Sequence, residues 1–199
     1  VTKRREWAER IQELGSAAPL GQATSGPSGA HAELELLHSL DLIYQSHLSA
    51  LDETAEQRRE RDLRREDFRR SSDAKTKSGR PESWLALEDN RDQLEAEVSR
   101  GRTCAHEITV AQDALQDAQE KQDQAARTRR RLQEDLLSAG EPEVAPGERE
   151  RRLQLAVLES TVADASVDLR RAELERHKTK QELLELNGRV LQDKVQQLV

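Results

Sequence analysis

Aromatic residues are nearly missing: Trp7, Trp84, Tyr44 and Phe68 are the whole set, 2% of 199 residues. Hydrophobic residues make up 34% and charged residues 36%, against about 45–50% apolar and about 25% charged in an ordinary globular domain. That balance excludes a compact core of normal size. Cysteine is equally scarce. Cys104 stands alone, so no intrachain disulfide forms, and with no long apolar run or signal-like segment the expectation is a soluble cytoplasmic protein. Methionine is absent altogether, which leads to the expectation that this is a segment of a longer chain. There is no glycine loop to cradle phosphate, no G-x-S-x-G and no H-E-x-x-H, so no enzyme activity and no cofactor is expected.

Charge of one sign is lacking too. The net charge of -7 arises from 39 acids and 32 bases spread through the same segments. No basic face is large enough to attract a polyanion, which argues against DNA or RNA as a partner. Leucine, alanine, glutamate, arginine and glutamine are abundant, the mixture expected of long helices and coiled coils. The predicted class is therefore all-α: an extended chain of long helices forming coiled coil, with a short separate amphipathic helix at the N-terminus.

Helix breakers set the boundaries. All five prolines and most of the nine glycines fall in three windows, "GSAAPLGQATSGPSGA", "SSDAKTKSGRP" and "SAGEPEVAPG", where flexible connections are expected. This predicts a docking helix over 1–14, a flexible linker over 15–30, and a long helix over 31–70 with an arginine-rich second half. A linker over 71–80 and a coiled-coil region over 81–199, broken at 138–147, complete the division.

The helix beginning at His31 opens with a broad apolar face of Leu34, Leu37, Leu40, Ile43, Tyr44, Leu48 and Leu51. Its continuation "EQRRERDLRREDFRR" reads as a solvated helix held by ion pairs between neighbouring turns. Further on, Cys104, Ile108, Ala111, Leu115, Ala118, Gln122, Ala125, Arg129, Leu132 and Leu136 keep a four-three rhythm that makes only a thin seam. The last helix carries the clearest heptad, with Leu155, Leu158, Val162, Leu169, Leu183, Leu186 and Val190 as seam positions and Ala165, Ala172, Arg176 and Thr179 between them. After Val190 the stripe shifts to Leu191, Val195 and Leu198, a slip that locally unwinds a supercoil. The break at 138–147 permits an antiparallel hairpin of the last two helices, and the seam equally permits a parallel homodimer.

The histidines promise no metal site. His31 and His38 are seven residues apart, about 10 Å along a helix, and Cys104 has only His106 beside it on its own helix. Cys104 on an apolar seam reads as a small buried filler rather than a nucleophile.

The first helix poses a sharper question. Trp7, Ile11 and Leu14 lie at spacings of four and three, so one stripe holds all three. A helix this short is marginal alone, so the stripe needs a partner. Either it folds back on its own chain, or it is laid into another protein's groove, with Lys3, Arg4 and Arg5 steering it toward an acidic rim.

The stretch "KRREWAERIQEL", the flexible segment after it, and "KQELLELNGRVLQDKVQQLV" at the far end resemble the autophagy-related protein sixteen family of coiled-coil adaptors. The resemblance implies that Arg4, Arg5, Trp7, Ile11 and Leu14 bind autophagy-related protein five, itself conjugated to protein twelve. It also implies a homodimer through the coiled coil, at most peripheral association with the preautophagosomal membrane, and a non-catalytic role directing the ubiquitin-like protein eight to its lipid. The alternative is a generic scaffold or tether in the cytoskeleton, kinetochore or vesicle traffic.

Overall fold

The computed structural model describes residues 29–74, 84–137 and 146–198, with side chains over 31–70, 84–137 and 147–196. These residues form three helices, α1 (Gly29–Ala74), α2 (Trp84–Leu137) and α3 (Pro146–Leu198), and no strand is present among them. No helix among the described residues is long and apolar enough to cross a membrane. The expected docking helix over 1–14 lies outside the described residues, as do nearly all of the 15–30 linker, residues 75–80 of the second linker, and most of the 138–147 break.

The described residues are all-helical, and the helix ends differ from the expected bounds. α1 begins at Gly29, inside the expected linker, and runs to Ala74, past the expected end at Arg70. α3 opens at Pro146, where a proline forfeits only an N–H that the first turn leaves unused. Glu148 then sits in the first turn, favoured by the helix dipole, and accepts a hydrogen bond from Arg152 one turn on at 2.7 Å.

Two compact units take part of every helix. One is made from the described residues of Val1–Leu48 and Leu115–Arg170. Its core holds Leu37 and Leu40 from α1, Ala118 from α2, and Ala156, Ala165, Val167 and Leu169 from α3. The α3 residues fall into two sets about half a turn apart: Ala165 with Leu169, and Ala156 with Ser160 and Val167. A helix buried on opposite faces lies between two neighbours, and a single heptad stripe accounts for only one of them. Gln122 donates to Asp164 at 2.7 Å and Arg129 to Ser160 at 3.4 Å, so α2 and α3 run antiparallel within this unit. Beside this contact, burial and the negative charges of Asp168 and Asp164 raise the Tyr44 hydroxyl above its ordinary pKa.

The other unit is made from the described residues of Ser49–Ala114 and Arg171–Val199. Its buried apolar residues are Ala50, Leu87, Cys104, Ala111, Ala172, Leu183 and Leu191. Two buried hydroxyls are satisfied within their own helices, Thr54 donating to Ala50 O at 2.6 Å and Thr179 to Glu175 O at 2.9 Å. Here too α2 descends as α3 rises. Cys104 meets His177, while the earlier residues Leu94, Val98 and Gly101 share a groove with the later Leu184, Gly188 and Arg189. α1 runs parallel to α3, with Glu53 on Arg176 and Arg61 on Glu182.

That groove, about 310 Å³, is widened by two mid-helix glycines. A Cβ built at Gly101 or at Gly188 meets nothing within 4 Å. A helical glycine costs about 0.5–1 kcal/mol relative to alanine, so Gly101→Ala and Gly188→Ala are each expected to raise stability by about that amount, read as a higher midpoint in thermal unfolding. A lowered midpoint for either variant would show that the bare backbone is needed there.

Candidate functional site

In the second unit, six polar side chains from all three helices meet in one cluster. α1 supplies Glu53; α2 supplies Cys104 and Glu107, three residues apart and therefore on one face; α3 supplies Arg176, His177 and Lys180. Arg176 Nη1 donates to Glu53 Oε2 at 2.9 Å. The other end of the guanidinium, Nη2, lies 3.4 Å from His177 Nε2, and His177 Nδ1 lies 3.1 Å from Glu107 Oε2. Arginine only donates, so when the ring is neutral Nε2 is the acceptor and the proton on Nδ1 points at Glu107. Lys180 Nζ donates to the same Glu107 oxygen at 3.0 Å.

At the buried end of the cluster is Cys104, with 0% exposure, whose thiol donates to the backbone oxygen of His177 at 3.3 Å. Burial pushes the thiol above its ordinary pKa; the Lys180 charge opposes this and the Glu107 charge adds to it. A protonated, inaccessible thiol is a poor nucleophile. That is the chemistry expected of the filler reading, although the polar company of Cys104 was not.

Glu107 is shifted in the other direction. The hydrogen bond from Lys180 is the largest cause holding its carboxyl below the usual value, with partial burial opposing and the charges of Lys180 and His177 assisting. A carboxylate depressed in the native state adds stability that is complete above its unfolded pKa, about 4.3, and that is lost as pH falls through the lower native value. The groups facing it are Lys180, His177 and Cys104. Glu107→Gln is accordingly expected to flatten the acid limb of a stability-versus-pH curve measured by urea unfolding. Parallel curves for wild type and variant would remove Glu107 from the account.

A row of ion pairs continues the contact of α1 with α3. Arg58 reaches Glu175 at 2.6 Å, and Arg61 reaches Glu182 at 2.6 Å, with Arg65 at 4.0 Å from the same Glu182. The Arg61 pKa is raised, chiefly by its hydrogen bond with Glu182. The arginine-rich half of α1 is thus only partly held by pairs between its own turns, such as Arg70 with Glu66. Arg58 and Arg61 instead tie it to another helix, which one strand of sequence does not display.

The predicted site residues divide into two sets. Arg4, Arg5, Trp7, Ile11 and Leu14 lie outside the described residues. Of the seam residues, Leu169 and Leu183 are buried, while Leu155, Leu158, Val162, Leu186 and Val190 are partly covered. Leu191, where the stripe shifts, is buried as well. Arg176, which interrupts the heptad, is the seam residue that carries the polar cluster.

Along its own helix Cys104 has only His106 beside it, and the sequence gives no expectation of a metal site. The fold instead brings His177 to it: ligand atoms of Cys104, Glu107 and His177 all lie within 4.8 Å of one another. The legible signal was a histidine beside Arg176, where the apolar seam gives way to an arginine and then a threonine.

The groove bounded by Gly101 and Gly188 holds a second polar feature. Glu97 Oε1 accepts from Arg100 Nη1 at 3.0 Å, and its buried Oε2 has no hydrogen-bond partner. No protein-family model, curated protein or solved structure matches the chain.

Proposed function

We propose that this chain is a non-catalytic helical adaptor whose long helices form coiled coil and hold a partner-binding helix at the N-terminus. The observation that carries the reading is how little large apolar surface goes inside. Among the described residues, the largest fully buried side chains are Leu40, Val167 and Cys104, whereas Trp84 is 70% exposed and Leu85 71%. A thin core with polar crosslinks between helices suits a scaffold that presents side chains to other proteins rather than an enclosed reaction site.

The finer form of the proposal follows the resemblance to the autophagy-related protein sixteen family. Trp7, Ile11 and Leu14 would be anchors in the groove of autophagy-related protein five, conjugated to protein twelve, and Arg4 and Arg5 flanking cations. The chain would act as a homodimer, cytoplasmic and at most peripheral on the preautophagosomal membrane, recruiting the ubiquitin-like conjugation machinery.

Affinity capture from the native cell with the wild-type chain and with Trp7→Ala tests this. The expected result is a ubiquitin-like conjugation protein recovered by wild type and lost with the variant. Recovery of cytoskeletal, kinetochore or vesicle-tether proteins equally by both would replace it with the generic scaffold. Sedimentation at several concentrations reads the dimer, and a monomer at all of them would remove that part.

A further inference from the structure

The Cys104, Glu107 and His177 cluster combines three donor types, a thiol, a carboxylate and an imidazole, from two helices, with donor atoms within 4.8 Å of one another. Zinc takes sulfur, nitrogen and oxygen donors at about 2.0–2.3 Å in a tetrahedron, whose edges are therefore about 3.3–3.8 Å long. His177 Nδ1 and Glu107 Oε2, at 3.1 Å, are already close to such an edge. The remaining approach, of Cys104 Sγ toward the other two, is within the reach of side-chain rotation.

Charge points the same way. A thiolate and a carboxylate together neutralise a divalent ion, which limits the penalty of placing it in a partly buried position. An ammonium already rests on that carboxylate: Lys180 Nζ is 3.0 Å from Glu107 Oε2. Lys180 and Glu107 are 43% and 34% exposed, so the lysine is free to swing into water while the carboxylate stays in place.

We propose that Cys104 Sγ, His177 Nδ1 and a Glu107 carboxylate oxygen form a site for a zinc-type divalent cation, and that Lys180 is the internal cation the metal displaces. Binding breaks the Cys104 S–H bond, forms the metal–sulfur bond and releases one proton to solvent; no electron is transferred. The proton on His177 Nδ1 passes to Nε2, which ends the contact with Arg176 Nη2, and Arg176 keeps Glu53 as its partner. Three protein donors leave the fourth position of the tetrahedron to water or to an incoming ligand. The metal would join α2 to α3 at the level where Arg176 already joins α3 to α1.

The experiment is a cobalt(II) titration of the full, reduced, metal-stripped chain, followed by thiolate-to-cobalt charge-transfer absorption, with zinc as competitor. One equivalent producing the thiolate band, abolished by Cys104→Ala, is the expected result. His177→Gln and Glu107→Gln should each weaken binding at least about 10–100-fold. Lys180→Gln, which removes the competing cation, should tighten it about tenfold.

Metal uptake without a thiolate band would place the ion on other histidines and overturn the site. So would affinities unchanged by His177→Gln and Glu107→Gln, two partly exposed positions that test the site even if Cys104→Ala fails to fold. Lys180→Gln leaving affinity unchanged would overturn the displacement.

Discussion

Leu40→Ala is expected to lower the stability of the folded chain by about 2–5 kcal/mol, the range for truncating a buried leucine and leaving a cavity. Leu40 has 0% exposure and is among the largest fully buried side chains of the described residues. Many of its buried companions are alanines: Ala118, Ala156 and Ala165 in the same unit. Small neighbours have few rotamers with which to fill a new void, so relaxation recovers little. Leu42, two residues away, is 64% exposed, and Leu42→Ala should stay within about 0.5 kcal/mol of wild type. Urea unfolding of the two variants checks the contrast. Equal losses would mean that α1 presents a different face to its unit than the structure shows.

Trp7→Ala with Ile11→Ala is expected to reduce affinity for the captured partner on the order of 100-fold or more, because central aromatic and aliphatic anchors of a helix in a groove each account for about 2 kcal/mol or more. Titration calorimetry of the partner with wild-type and doubly substituted chains gives the number. Deleting residues 1–15 separates the two meanings of this helix. If it is a docking element, the deletion abolishes binding and leaves the unfolding midpoint unmoved. A lower midpoint with recruitment intact would show instead that the indole packs on its own chain, and the adaptor reading would fall.

The long helices were legible for a plain reason. Periodicity and breakers are local properties of the backbone, so prolines and glycines at 138–147 and the stripe from Leu155 to Val190 identify α2 and α3 to within a few residues. The one-sided stripe was also its own limit. Ala156, Ser160 and Val167 lie about half a turn from Ala165 and Leu169, and with an alanine, a serine and one valine this face looks no different from a solvated surface until a neighbouring helix covers it. Arg58 and Arg61 show the same limit for charge, since acids on the next turn and acids on another helix offer an arginine equivalent partners in sequence.

Hydrophobic periodicity and the placement of glycine and proline thus determined, from the chain alone, that this protein is helical, where its long helices run and that its core is thin. Which faces are covered, which way α2 runs beside α3, and the meeting of Cys104, Glu107 and His177 across 70 to 73 residues of chain were decided only in three dimensions. Helix formation depends on residues three and four apart, whereas a site shared between helices depends on their relative rotation and offset, which no local pattern encodes.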